Sequence, residues 1–296
     1  MQKNKQGFTL IELSIVLVII GLIIGGVLVG QDLIKAAQAR ATVTQLERYN
    51  TAVHTFELKF NCLPGDCANA ASFGFPPRGT AEGEGDGNGV IEGHNCNGGF
   101  LGSVESCGET ALFWEDLSQA NLIEGLFNTA SAITYLGPVT GSALNAYFPQ
   151  AKLGGGNYIY VWSGGVGSDN GSADNGLNYF GISPISQMTG YIRSEAGLTV
   201  GQAYSIDTKI DDGLPQSGNV TALYDNYNVP GSGSIGWAAG GGLFGASTPY
   251  PYNPTTAATP WAATNCYDNN NVAGPETYSM AQNANQVNCA LSVQFQ

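Results

Sequence analysis

Carboxylates in one short glycine-rich segment are the residues of this chain best spaced to do chemistry. In Glu84-x-Asp86-x-Asn88-Gly89-x-Ile91, oxygen ligands occupy the first, third and fifth positions of a loop, glycine the sixth and an apolar side chain the eighth; Glu92 follows. An EF-hand-type calcium loop begins in this way, because a hard cation must gather about six to eight oxygens around a tight turn. Glu rather than Asp opens the loop, and Asn95 stands where a bidentate Glu would close it. The expected ligands are Glu84, Asp86, Asn88 and Glu92, the expected affinity is weak, and calcium is the one cofactor suggested. A solvated acidic turn is the competing reading.

Little else in the chain resembles catalytic machinery. The adjacent acids Glu115/Asp116 and Asp211/Asp212 could serve a glycosidase-like enzyme, but neighbours in sequence rarely face one cleft across a sugar. Gly231-Ser232-Gly233-Ser234-Ile235-Gly236 fits G-x-G-x-x-G, yet Pro230 precedes it and Gly240 to Gly242 follow where a phosphate-binding helix should run. With two histidines in 296 residues, and no G-x-S-x-G, H-E-x-x-H or P-loop, an enzyme is not expected.

The elements that would carry these residues start with an anchor. Lys3 and Lys5 precede Phe8 to Val29, a run whose single charge is Glu12. As a helix it spans roughly 33 Å, enough for a bilayer core of about 30 Å, and the lysines place the N-terminus in the cytoplasm. A secretory signal peptide would have a shorter apolar region and a small-residue cleavage site after it. A carboxylate at membrane depth costs about 2.5 kcal/mol or more, so Glu12 marks a function or a partner unless it snorkels from the helix end. Gly21, Gly25 and Gly26 offer small-x-x-x-small spacing for close helix approach.

The string Lys5-Gln6-Gly7-Phe8-Thr9-Leu10-Ile11-Glu12-Leu13 resembles the processing site of type IV pilins and type II secretion pseudopilins. That resemblance implies cleavage after Gly7 by a prepilin peptidase, N-methylation of the new terminal residue Phe8, and a role for Phe8 and Glu12 in assembly. A physical reason fits it: the freed α-amino group lies one helical turn from the carboxylate, and a neighbouring subunit could offset the buried charge of Glu12 with its own amine. The family further implies an α+β ladle, a long N-terminal helix whose distal half packs on an antiparallel sheet.

No proline occurs before Pro64, and Ala36, Ala39, Val43, Leu46, Tyr49, Val53, Phe56 and Phe60 recur at helical spacing. One helix of about fifty residues is predicted, ended by Pro64-Gly65-Asp66, with His54 as an ordinary helix residue. The chain divides into a leader at 1–7, a membrane or filament-core half-helix at 8–30, an amphipathic half at 31–60, and a disulfide-bonded head at 61–296. In the head, Glu109 to Glu124 reads as a helix capped by Thr110. Thr199 to Asp212 reads as another, with Thr199 and Gln202 forming a capping box. Strands are predicted at Tyr158 to Trp162, Tyr179 to Ile182, Tyr191 to Arg193 and Asn219 to Tyr224, and a long loop from Pro230 to Pro260.

All six cysteines lie beyond the anchor. In an exported chain an even count reads as a disulfide framework with fifteen connectivities. Loop-closure entropy favours sequence neighbours: Cys62 with Cys67, Cys96 with Cys107, and Cys266 with Cys289, the last resembling the C-terminal disulfide loop of many pilins. A zinc site is the rival reading, without a C-x₂-C pair to support it.

Net charge is −13, and from Asn61 onward four basic residues face nineteen acidic ones. A nucleic-acid partner is therefore not expected. The chain reads as a structural subunit of a pilus-like or secretion pseudopilus filament, homo- or hetero-oligomeric. It would be an inner-membrane precursor, then part of a periplasmic or extracellular filament. A minor pilin or adhesin with a surface-binding head is the alternative, and an anchored enzyme the remote one.

Overall fold

The computed structural model describes residues 9–93, 104, 106–134, 137–163, 176–188, 192–222, 266–268 and 276–295. Gly7, Phe8, Asn95, Cys96, Tyr191, the 231–236 glycine motif and the predicted loop at 230–260 lie outside them. The architecture is α+β: one long N-terminal helix, then an antiparallel sheet with short helices.

Helix α1 runs Leu10–Phe60 without interruption and ends at Asn61, whose left-handed φ of 56° turns the chain out of the helix. Its first half is apolar and exposed, long and apolar enough to cross a membrane. The distal half is covered by the head from Ala39 onward, along Val43, Leu46, Tyr49, Val53 and Phe56. Ala36, expected on the same stripe, is exposed, although the neighbouring Lys35 reaches Asn285 of the head at 3.0 Å. Gln45, a polar residue outside that stripe, is also buried, and hydrogen bonds satisfy it. Its amide donates to Tyr49 Oη and Gln150 O at 2.9 Å each, and Oε1 accepts from the Lys152 N–H at 2.8 Å. One glutamine thus pins the segment entering the sheet to the helix.

The sheet is organised around β3 (Asn178–Met188). Its first half is flanked by β2 (Asn157–Ser163) and β10 (Leu291–Gln294), with β6 (Val220–Ala222) beyond β10. Its second half pairs β1 (Val139–Thr140) and β4 (Ile192–Ser194), and every pairing is antiparallel. β3 was expected to stop at Ile182 but continues through Pro184. Proline has no N–H to give a ladder, and here it stands where β3 exchanges its flanking strands. Two small pairs complete the fold: β5 (Leu198–Thr199) with β9 (Val287–Cys289), and β7 (Tyr267–Asp268) with β8 (Thr277–Tyr278).

Helix α2 (Glu109–Gln119) sits between α1 and the sheet in an aromatic stack. Tyr49 meets Trp114 edge-on at 4.9 Å between centroids, Trp114 lies 6.2 Å from Phe180 of β3, and Phe180 stacks on Phe295 at 4.3 Å. The predicted Thr110 cap is not formed. Gly108 enters the helix at φ 77°, and loop carbonyls replace a side-chain cap, with Glu109 N–H reaching Gly83 O and Glu92 O, and Thr110 N–H reaching Glu92 O. The helix stops short of Glu124 because Asn121 is left-handed, at φ 57°. Helix α3 (Val200–Ile210) packs along α1 and has the predicted Thr199–Gln202 capping box. A short α4 (Met280–Asn283) follows β8.

Disulfides join Cys62 to Cys67 and Cys266 to Cys289, with Cα atoms 5.2 and 5.1 Å apart. The first closes the turn after α1; the second ties the residue preceding β7 to the end of β9. Cys107 is also disulfide-bonded, and its expected partner Cys96 lies outside the described residues.

Candidate functional site

At the start of α1, Thr9 and Glu12 form a capping box. Glu12 Oε2 accepts from both the N–H and the hydroxyl of Thr9 at 2.8 Å, and the Thr9 hydroxyl accepts from Glu12 N–H at 3.3 Å. The T-x-x-E signature was present in the sequence. Among the described residues no group donates to Glu12 Oε1, which leaves one carboxylate oxygen free for a donor from another chain. The Gly7–Phe8 junction lies just outside the described residues.

The acidic loop folds against the N-terminus of α2, and it wraps around a carboxylate that the sequence pattern does not include. Asp66 accepts from Gly87 N–H at 2.5 Å and Gly89 N–H at 2.7 Å. Glu109 accepts from Gly85 N–H at 2.8 Å and Glu92 N–H at 2.9 Å. Asp66, Asp86 and Glu109 each offer a carboxylate oxygen within 4.8 Å of the others, so these three could hold a cation. Of the four residues expected from spacing, Asp86 joins this group. Asn88 lies between Asp86 and Glu92, donating to both at 3.3 Å, and Glu84 accepts from Thr80 and Ala81 N–H at 2.6 and 2.8 Å. Asp66 sits in the turn that ends α1 and Glu109 at a helix start, each with a structural role that hid it. Asn178 docks the loop on β3, accepting from Ile91 N–H and donating to Gly89 O.

Burial raises the Asp66 carboxyl to about 6, against the lowering effect of the Gly89 and Gly87 N–H groups. Burial, then the Asp66 charge, also lifts Glu109 well above the ordinary carboxylate range. A carboxyl whose pKa is higher folded than unfolded stabilises the fold below its unfolded value, and that stability is lost as pH rises through the folded value. The midpoint of thermal unfolding of the detergent-solubilised chain should therefore fall between about pH 4 and 6, with Asp66 accounting for on the order of 2 kcal/mol. In Asp66→Asn this part of the slope should vanish. Millimolar calcium at pH 7.5 separates the two readings of the loop. A rise in wild type that is missing in Asp66→Asn assigns a cation to it; equal responses assign a solvated turn.

Asp207, Asp211 and Asp212 also each offer a carboxylate oxygen within 4.8 Å of the others, and all three accept hydrogen bonds from the surrounding chain. Asp207 accepts from Tyr278 Oη at 2.7 Å and Gly213 N–H at 2.9 Å, and burial raises it to about 6. Asp211 receives the Asn219 and Val220 N–H groups, and Asp212 those of Leu214 N–H and Ser217 Oγ–H. Glu115 accepts from Ala130 N–H and Gln119. Asp116 pairs with Arg78 at 2.5 Å, the two side chains 0% and 1% exposed, and also accepts from Gly65 N–H at 2.7 Å. Burial outweighs these partners and raises the Asp116 carboxyl.

A capped, apolar, membrane-length helix carrying a compact head along its distal half defines an α+β protein of pilin-like layout, which fits a membrane-anchored precursor. Residues 2–28 match the prokaryotic N-terminal methylation motif, the signature of type IV pilins and pseudopilins. No curated protein and no solved structure shows significant similarity to the chain.

Proposed function

We propose that this chain is a structural subunit of a pilus-like or secretion pseudopilus filament. A prepilin peptidase cleaves it after Gly7, Phe8 is N-methylated, and the inner membrane holds the product with its N-terminus on the cytoplasmic side. Subunits then leave the bilayer by packing their α1 helices together, and the acidic heads face outward. Within the bundle, Glu12 takes the Phe8 amine of a neighbour on the oxygen that Thr9 leaves free. The observation that carries this reading is the methylation motif at 2–28, whose apolar stretch opens the half of α1 that the head leaves bare. An uncovered surface of that kind requires lipid or other helices around it.

Intact-mass measurement of the membrane-extracted protein tests the first step. The expected mass lacks Met1 to Gly7 and carries one added methyl group. A chain that keeps its leader overturns the reading.

A further inference from the structure

A groove of about 990 Å³ runs beside the distal half of α1, between the turn after α2 and the segment that enters β2. Its charged lining is Arg40, Arg48 and Lys152 against Glu47 and Glu124, with Phe148 on the head side. This is a concentration of cations in a chain that has ten Lys and Arg and a net charge of −13. Several other cations are engaged locally: Arg78 with Asp116, Lys35 with Asn285, Lys59 over the Phe60 ring, and Lys209 on Ser205. Among the described residues, Arg40, Arg48 and Lys152 have no carboxylate within 4.0 Å, even with two glutamates in the same groove.

We propose that this groove receives an acidic segment from the head of a second copy of the chain; the inference rests on the filament reading above. Charge complementarity selects the occupant, because nineteen acids beyond residue 60 outnumber four bases. Like surfaces of such heads repel, so a row of copies needs one basic patch per copy to lie side by side. The helix wall of the groove is also continuous with the bare half of α1. Copies that share helices through that half bring the next head alongside this wall. The Lys152 N–H donates to Gln45 and so ties the head-side wall to the helix, and Arg40, Arg48 and Lys152 all line the groove between them.

Carbodiimide joins an amine to a carboxylate in direct contact, and it reads this interface in filaments sheared from cells that make the full chain. Lys152 should be coupled to a head carboxylate in a band of twice the chain mass, in filaments and not in detergent-dispersed subunits. Lys152→Arg should keep the filaments and lose that band. Arg48→Glu combined with Lys152→Glu should be cleaved normally, unfold at the wild-type temperature, and enter filaments about tenfold less. If filaments form but Lys152 is absent from the coupled peptides and the double variant enters them like wild type, the groove is not the interface and the filament reading stands. Failure of the wild-type chain to be cleaved or to enter filaments removes both.

Discussion

Replacing Glu12 by alanine is expected to lower filament incorporation by tenfold or more, while insertion and leader removal continue. Truncating one member of a buried charge pair costs about 2–5 kcal/mol, largely because the other charge is left without a partner in a dry site. Even the low end of that range exceeds a factor of ten in an equilibrium. Glu12 also caps its own helix through Thr9, so alanine removes two things at once. Glu12→Gln separates them: glutamine can complete the capping box but carries no charge for a neighbour's amine. Quantifying sheared filaments against the membrane pool should show Glu12→Gln nearly as deficient as Glu12→Ala. A glutamine variant that assembles normally would assign Glu12 to capping alone.

Arg78→Met should destabilise the head by about 3–5 kcal/mol, the usual consequence of removing one partner of a buried ion pair. Asp116 would keep the Gly65 N–H but lose the guanidinium that lies 2.5 Å away. The remaining carboxyl escapes the cost of an unpaired charge by taking a proton. The deficit should therefore be largest at neutral pH and shrink as the pH is lowered. The double change Arg78→Met with Asp116→Leu should recover much of the loss, since a well-packed apolar pair can replace a buried ionic one. Thermal unfolding of wild type, the single variant and the double variant at pH 7.5 and pH 5 checks all of this. Equal deficits for the single and double variants would mean that Arg78 acts through packing alone.

The sequence made α1 legible because 3.6-residue periodicity and the absence of proline are local properties, and the head leaves that pattern undisturbed. Thr199 and Gln202 were legible as a cap for the same reason. Thr110 misled because a hydroxyl near a helix start is only one way to satisfy the first N–H groups, and here the 83–92 loop supplies carbonyls instead. Strand β3 ran beyond its expected end because the exchange of partners that lets Pro184 sit inside it is a property of the whole sheet. The acidic loop shows the same limit. Ligand spacing brought Asp86 into view, whereas Asp66 arrives from a turn about twenty residues before it and Glu109 from a helix start about as far after it. The Arg78–Asp116 pair spans thirty-eight positions and has no sequence signal at all.

Because α1 passes from its bare half into the head with no linker, the head cannot turn independently of the helix that carries it. Successive residues of an α-helix point about 100° apart around its axis. A slip of one residue in how two bare halves mesh would therefore swing the attached head through more than a quarter of a circle. In the filament proposed above, the rotational phase of the helix bundle would then decide which side of each head meets the surroundings. Variants in the apolar half, far from any exposed loop, should accordingly be able to change what the outside of a filament presents.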